Sequence, residues 1–267
     1  MPDTITHPTD FSPEAHTAFI HALALACAHR CRLDLLHVRS PHGSNDWQSF
    51  PHVREVLMRW GLMEAGAPTS EITPATGVTV RKTEISDTDP LDGLANYLWT
   101  HPADLVVMAS HGRTGLNRWL AGSVTESIVR QTHLPTLVIG PNARPFVDPT
   151  TGVVNLARIL MAVAPRPSAA RAMLRLDDLL APFDAARDFV HVGPDAPQLM
   201  AATGTPIPVR TVPGDPVECI VAEADSCKAD VIVLTTSGRH GLLDLVRGGT
   251  SAQVQTRATC PVLTLPA

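Results

Sequence analysis

Two short stretches of the sequence carry residues suited to holding a phosphorylated ligand. The first follows the apolar run DLVVMAS at 104–110, where Gly112 and Gly115 permit a tight or closely approaching backbone and Gly122-Ser123 then opens a helix at Val124. Free N–H groups and the positive end of a helix converge at such a turn, with no Cβ in the way of a phosphate. Arg113 and Arg118 are near enough in sequence to add charge. Ser123 with Glu126 is also a capping box, which satisfies the same N–H groups without a ligand, so the local sequence allows either reading. The second stretch is centred on Asp10, which follows the first strand-like run. Its carboxylate is placed to accept hydrogen bonds from ribose hydroxyls, or else to serve as a helix N-terminal acid near Ser12. Both stretches would lie on one edge of a parallel sheet, and that coincidence favours a nucleotide.

Other chemistries find little footing. There is no Gly-x-x-x-x-Gly-Lys-Ser/Thr run, no Gly-x-Ser-x-Gly elbow, and no His-x-x-x-His spacing among the 12 histidines. Cys27 and Cys31, one helical turn apart, would need a histidine partner to hold a metal, and small cysteines of this kind commonly pack in helices. The five cysteines are odd in number and scattered, which fits a reducing compartment. A net charge of −5 offers no basic surface for nucleic acid or an anionic membrane. Neither a basic, apolar leader nor a membrane-spanning stretch is legible, so a cytoplasmic address is expected.

The elements that must position these residues are arranged as a duplication. ADLVVMASHGRTGLNRWLAGS at 103–123 matches ADVIVLTTSGRHGLLDLVRGG at 229–249, and the same offset carries Asp89-Pro90 onto Asp215-Pro216 and Pro135 onto Pro261. Nearer the start of each half, LLHV at 35–38 matches FVHV at 189–192 and Ile5 matches Ile159, at a longer offset. The first half therefore contains an insertion within 39–75, where Val53, Val56, Leu57, Trp60 and Met63 recur at helical spacing. Strand-like runs at 4–8, 33–38, 78–85, 104–109 and 135–139 alternate with helical patterns, as in a parallel sheet with crossover helices. Asp89-Pro90 and Ser12-Pro13 mark helix starts. With 267 residues and 44% hydrophobic content, the chain has room for two ordinary domains. The boundaries read as 1–142 for the first, 143–155 for a Pro-rich linker and 156–267 for the second, with a short Pro-rich connection at 193–208.

HPTDFSPEAHTAFIHALALA, LDLLHV and MASHGRTGLNRWLAGSVTESIVRQTHLPTLVIG resemble the universal stress protein family, and the likeness spans nearly all of both halves. The resemblance implies a tandem member: two domains, each a five-stranded parallel sheet with helices on both faces. The family's ATP-binding branch carries a loop Gly-x-x-Gly-(nine residues)-Gly-Ser/Thr. Its second glycine falls on Gly112 and its final pair on Gly122-Ser123, while Ala109 stands at the first glycine position. By the same resemblance Asp10 would hold ribose or adenine, and the backbones of Thr9 and Val38 would meet adenine. Gly112, Gly122, Ser123 and Val124 would contact phosphates, with His111 and Arg113 as additions.

The second half departs from this pattern. Ala164 stands opposite Asp10, Gly249 opposite Ser123 and Thr235 opposite Ala109, while Thr250 and Gln253 form a capping box displaced by one residue. The expectation is a stress-response regulatory protein that binds ATP or a related adenine nucleotide in its first half, with Mg²⁺ allowed as its companion. Any hydrolysis would be slow and incidental. The alternative is a protein-interaction module of the same fold that binds no nucleotide. The resemblance also implies that the final strands of the two halves pair, so that one chain mimics a dimer, and a further homodimer is allowed.

Overall fold

The computed structural model describes every residue except 42, 44–45, 111–127, 129–130, 167–168, 202, 237–248 and 267. In the first half, strands β1 (Thr4–Pro8), β2 (Arg32–Arg39), β3 (Thr79–Ser86), β4 (Leu105–Ala109) and β5 (Thr136–Ile139) form. In the second, the corresponding strands are β6 (Arg158–Ala162), β7 (Ala186–Val192), β10 (Arg210–Val212), β11 (Val231–Thr236) and β12 (Val262–Pro266). A two-stranded antiparallel pair, β8 (Leu199–Met200) and β9 (Pro206–Ile207), occupies the segment expected to be a plain connection. The ten major strands make one sheet in the order β10-β7-β6-β11-β12-β5-β4-β1-β2-β3. Each half is parallel throughout and repeats one strand order. The halves meet where β5 and β12 run antiparallel, with Val262 opposite Val138 and Thr264 opposite Thr136.

Strands buried on both faces need apolar residues at odd and even positions alike, which is why 105–108 reads as a continuous apolar run. Val106 and Met108 pack with Leu36 beneath helix α4 (Pro90–Thr100), while Leu105 and Val107 face helix α1 (Pro13–His29). On the α1 side the core continues without interruption into the second half. There it includes Ile159, Met161, Val231, Val233 and helix α5 (Ala170–Leu180). On the opposite side helices α6 (Pro216–Cys227) and α7 (Thr250–Arg257) cover a separate cluster around Ile232 and Val190.

Local chemistry repeats along with the strands. Asp89 and Asp215 cap α4 and α6, each accepting hydrogen bonds from the N–H groups two and three residues on. Asp104 accepts from the N–H groups of Asp3 and Thr4 at 2.8 and 3.1 Å, and Asp230 accepts from those of Ala157 and Arg158 at 2.8 and 2.9 Å. Each aspartate thus ties the start of the central strand to the residue before its neighbour. Gly93, inside α4, has only hydrogen where a Cβ would lie 3.0 Å from Val38 Cγ1 and 2.8 Å from Asp87 Cβ. That glycine lets the helix pass close over the end of β2.

The insertion forms helix α2 (Val53–Arg59), a 3₁₀ turn at Thr69–Glu71 and helix α3 (Ile72–Thr76). Helix α2 stops before Met63, shorter than the apolar spacing suggests, because Gly61 takes φ +72°. Trp60 and Met63 are buried all the same. The Trp60 ring lies over Gly152, also at positive φ, and its indole N–H donates to Pro149 O at 3.1 Å. The inter-half segment is itself structured: Val147 bridges Val154, and Phe146 and Val147 are buried. The capping box expected at Thr250 and Gln253 is not formed. The N-cap of α7 is Gly249, with no side-chain cap hydrogen bond, and Thr250 is already helical.

Candidate functional site

At the carboxyl end of the first half's sheet, β1 stops at Pro8 while β2 continues to Arg39. Thr9 N–H donates to Leu36 O at 2.8 Å, and Thr9 O accepts from His37 Nδ1 at 2.8 Å. Both main-chain polar groups of Thr9 are therefore engaged within the fold. Peptide groups on a strand alternate between its two neighbours. Because Leu36 O faces β1, the N–H and C=O of Val38 face the same flank, beyond the point where β1 has ended. Of the two backbones expected to meet a base, Val38 is the better placed.

Asp10 stands next along the chain, half-buried, with Oδ1 accepting from Ser12 N–H at 3.0 Å. A carboxylate has acceptor capacity beyond one such bond. Ser12 is the true N-cap of α1, accepting from Ala15 N–H at 3.0 Å, so Asp10 is not needed to cap the helix. Between them Phe11 takes φ +63°, a conformation disfavoured for a bulky residue. The Asp10 turn, the Thr9 hydroxyl accepting from Phe11 N–H at 3.1 Å, and ring stacking hold it there. The Phe11 ring stacks on His37 at 4.1 Å between centroids and meets Phe50 edge-on at 5.4 Å. Strain of this kind concentrates at ligand-holding turns.

Ala109 ends β4 on the same edge, half-buried, and Ser110 N–H bonds to Ile139 O at 3.0 Å. The structure thus brings Thr9, Asp10, Val38 and Ala109 to one edge. Gly112, Arg113, Gly122, Ser123 and Val124, with His111, lie outside the described residues.

The second half provides an internal control. Val163 N–H donates to Val190 O at 2.8 Å and Val163 O accepts from His191 Nδ1 at 2.9 Å, reproducing the Thr9 geometry bond for bond. Ala164 therefore occupies the place of Asp10 in three dimensions as well as in sequence. The histidine clamp persists where the carboxylate is lost, so its work is to hold the strand ends together.

Beneath this edge lies a group that sequence reasoning missed. His7 is fully buried, its Nδ1 bonded to Val107 O at 2.9 Å, and burial pushes it down to about 4. It is a neutral strut joining β1 to β4, and nothing in the mixed run Thr4–Pro8 marks it out. Phe50, wholly buried under Phe11, was likewise invisible because it sits in an aperiodic stretch. Among the described residues no cluster of His, Cys, Asp or Glu is arranged for a metal. Burial pushes the Cys27 and Cys31 thiols up to about 12 and 11, away from the thiolate that metal binding requires. No described helix is long and apolar enough to cross a membrane.

Comparison with known proteins agrees with this geometry. The model of the universal stress protein family matches residues 1–140 and 198–266. A universal stress protein of Methanocaldococcus jannaschii is 31% identical over 138 residues, covering 51% of this chain and 80% of that protein. A solved universal stress protein from Archaeoglobus fulgidus superposes with a TM-score of 0.66 at 18% identity, covering 98% of this chain and 96% of that one. A Pseudomonas aeruginosa structure of the same type gives 0.65 at 14% identity, covering 99% and 93%. The two structural likenesses run nearly the length of the chain, and the family model matches a segment in each half. The chain belongs to the universal stress protein family, with two tandem units of its fold.

Proposed function

We propose that this chain is a cytoplasmic stress-response regulator that binds ATP or a related adenine nucleotide in its first half only. The observation that carries the reading is the contrast between Asp10 and Ala164 at geometrically equivalent turns. In this reading the Asp10 carboxylate accepts from ribose, the outward-facing peptide groups of Val38 meet the base, and Ala109 leaves room for close passage. Gly112, Gly122, Ser123 and Val124 hold the phosphates through main-chain N–H groups, with Arg113 adding charge and Mg²⁺ accompanying the ligand. In the same reading the protein senses the nucleotide rather than turning it over, with any hydrolysis slow and incidental. The antiparallel β5–β12 seam is read as an intramolecular pseudo-dimer in which the second half is scaffold.

The test is to denature the purified protein, identify any released nucleotide by mass, and measure thermal stability with added ATP for wild type and Asp10→Ala. Wild type is expected to be stabilised, and the variant to bind at least about tenfold more weakly, the scale of a hydrogen bond to a charged group. No nucleotide and no stabilisation in wild type would favour the protein-interaction alternative. Equal stabilisation of both proteins would displace Asp10 from the ribose.

A further inference from the structure

An open cavity of about 530 Å³ lies between the outer strand β3 and the insertion. Its lining includes Val80 and Lys82 of β3, Val53 and Arg54 from the start of α2, and Ile72 of α3, and none of it belongs to the nucleotide edge at Thr9, Asp10, Val38 and Ala109. The same two β3 residues carry unused main-chain groups. Asp87 N–H donates to Arg39 O at 3.1 Å, so the odd-numbered residues of β3 turn their peptide groups towards β2 and the even-numbered ones turn theirs outwards. Among the described residues the outward N–H and C=O groups of Val80 and Lys82 meet no partner. Charge at the cavity is unbalanced as well. Arg54 and Lys82 reach it from different walls, and neither has an ion-pair partner among the described residues. The nearby carboxylates are engaged elsewhere: Glu55, also in the lining, pairs with His52 at 3.1 Å, while Glu84 meets Arg39 at 3.6 Å and accepts from Asp46 N–H at 2.8 Å. The Lys82 ammonium is held over the Phe50 ring, 5.7 Å from its centroid. Burial keeps it below its ordinary 10.5, yet it stays a cation at neutral pH.

We infer that this edge docks an acidic, extended segment of a partner protein, which adds as a further strand beside β3 with one of its carboxylates held by Arg54 and Lys82. In strand addition the main-chain hydrogen bonds supply affinity and alternate side chains supply selectivity. Here the side chains of Val80 and Lys82 line the cavity while their peptide groups face the open edge, so one guest strand meets both. Lysine on an edge keeps apolar strands away. The same charge favours an acidic strand, whose carboxylate stem lies against the half-buried Val80. The second half has no counterpart, since it lacks the insertion and its outer strand β10 is only three residues long.

The experiment titrates the full-length protein with the end-blocked peptide Glu-Val-Glu-Val-Glu-Val and follows the backbone amide NMR signals of Val80 and Lys82. Saturable shifts of both amides are expected, with binding that weakens as salt is added. Replacing Arg54→Gln and Lys82→Gln together should weaken binding about tenfold, and full N-methylation of the peptide should abolish it. Asp10→Ala should bind the peptide as wild type does. No saturable binding, or undiminished binding by the double variant, would overturn the docking site. Equal binding of the N-methylated peptide would overturn strand addition, and equal binding of Lys-Val-Lys-Val-Lys-Val would overturn the preference for acid. Tighter binding of a peptide copying Thr79–Ser86 would make a second copy of this chain the occupant and overturn the acidic partner. Failure of ATP to bind leaves the edge intact.

Discussion

His7 and His21 show how much of the first half rests on neutral imidazoles. His21 Nδ1 donates to Thr17 O at 2.8 Å and its Nε2 accepts from Phe146 N–H at 3.2 Å, an arrangement open only to the unprotonated ring. Burial pushes both histidines from 6.5 down to about 4. Below pH 6.5 the unfolded chain therefore binds protons that the folded chain refuses, and stability falls as pH falls from 6.5 towards 4. By pH 5 the loss is expected to be about 2 kcal/mol for each group, read as a lowered urea midpoint between pH 7.5 and 5. A flat midpoint over that range would show that these rings are reached by water. The position of Asp10 at the carboxyl edge of the sheet was legible in sequence because it directly follows a strand-like run, whereas the role of His7 was not. Nothing in the residues around it says that its Nδ1 would find Val107 O on the neighbouring strand β4.

At the scale of elements, the insertion acts as a brace. It begins where β2 ends, buries Phe50 beneath Phe11, and presses Trp60 on the segment between the halves. A Cβ at Gly152 would lie 2.4 Å from Trp60 Cδ2, at a φ of +72° that side chains rarely adopt. Gly152→Ala is accordingly expected to destabilise the protein by about 2 to 3 kcal/mol in chemical denaturation, combining overpacking with backbone strain. A change under about 0.5 kcal/mol would mean that this contact yields freely. Helical spacing around Val53, Val56 and Leu57 made the helix itself readable. The helix's partner was not, since the Pro-rich run at 143–155 reads as a linker and gives no hint that Phe146 and Val147 are buried. The short β8–β9 pair escaped for a related reason: two-residue strands have no period to detect.

Across the whole molecule, the continuous core on the α1 side and the β5–β12 seam bind the halves into one sheet. The Thr264 hydroxyl donates to Thr136 O at 3.2 Å within that seam, where both residues are buried. A chain ending at residue 142 would expose the β5 edge and the apolar surface that now meets Leu263 and Leu265. It is expected to self-associate, visible as dimers or larger species by light scattering after gel filtration. A stable monomer would argue that the seam contributes little. That the two halves share one strand order could be expected from matched strings alone, because an offset preserved over twenty residues implies a repeated unit, but the order itself could not. The pairing of the final strands came only through the family likeness, and its antiparallel sense was not foreseen, since pairing across a duplication has no local signature.

Joining the two halves in one chain also settles which edges remain open. The sheet ends at β3, which carries Arg81, Lys82 and Glu84 along eight residues, and at β10, only three residues long. Charge guards one border and brevity the other. With β5 and β12 held together at the high effective concentration of a tether, neither is left to recruit the matching strand of another family member. A separately encoded pair of subunits could exchange partners and carry two equal sites. On the proposed reading this chain has a fixed partner strand and one Asp10, so its response to nucleotide should be a simple hyperbola, set by a single affinity and indifferent to protein concentration.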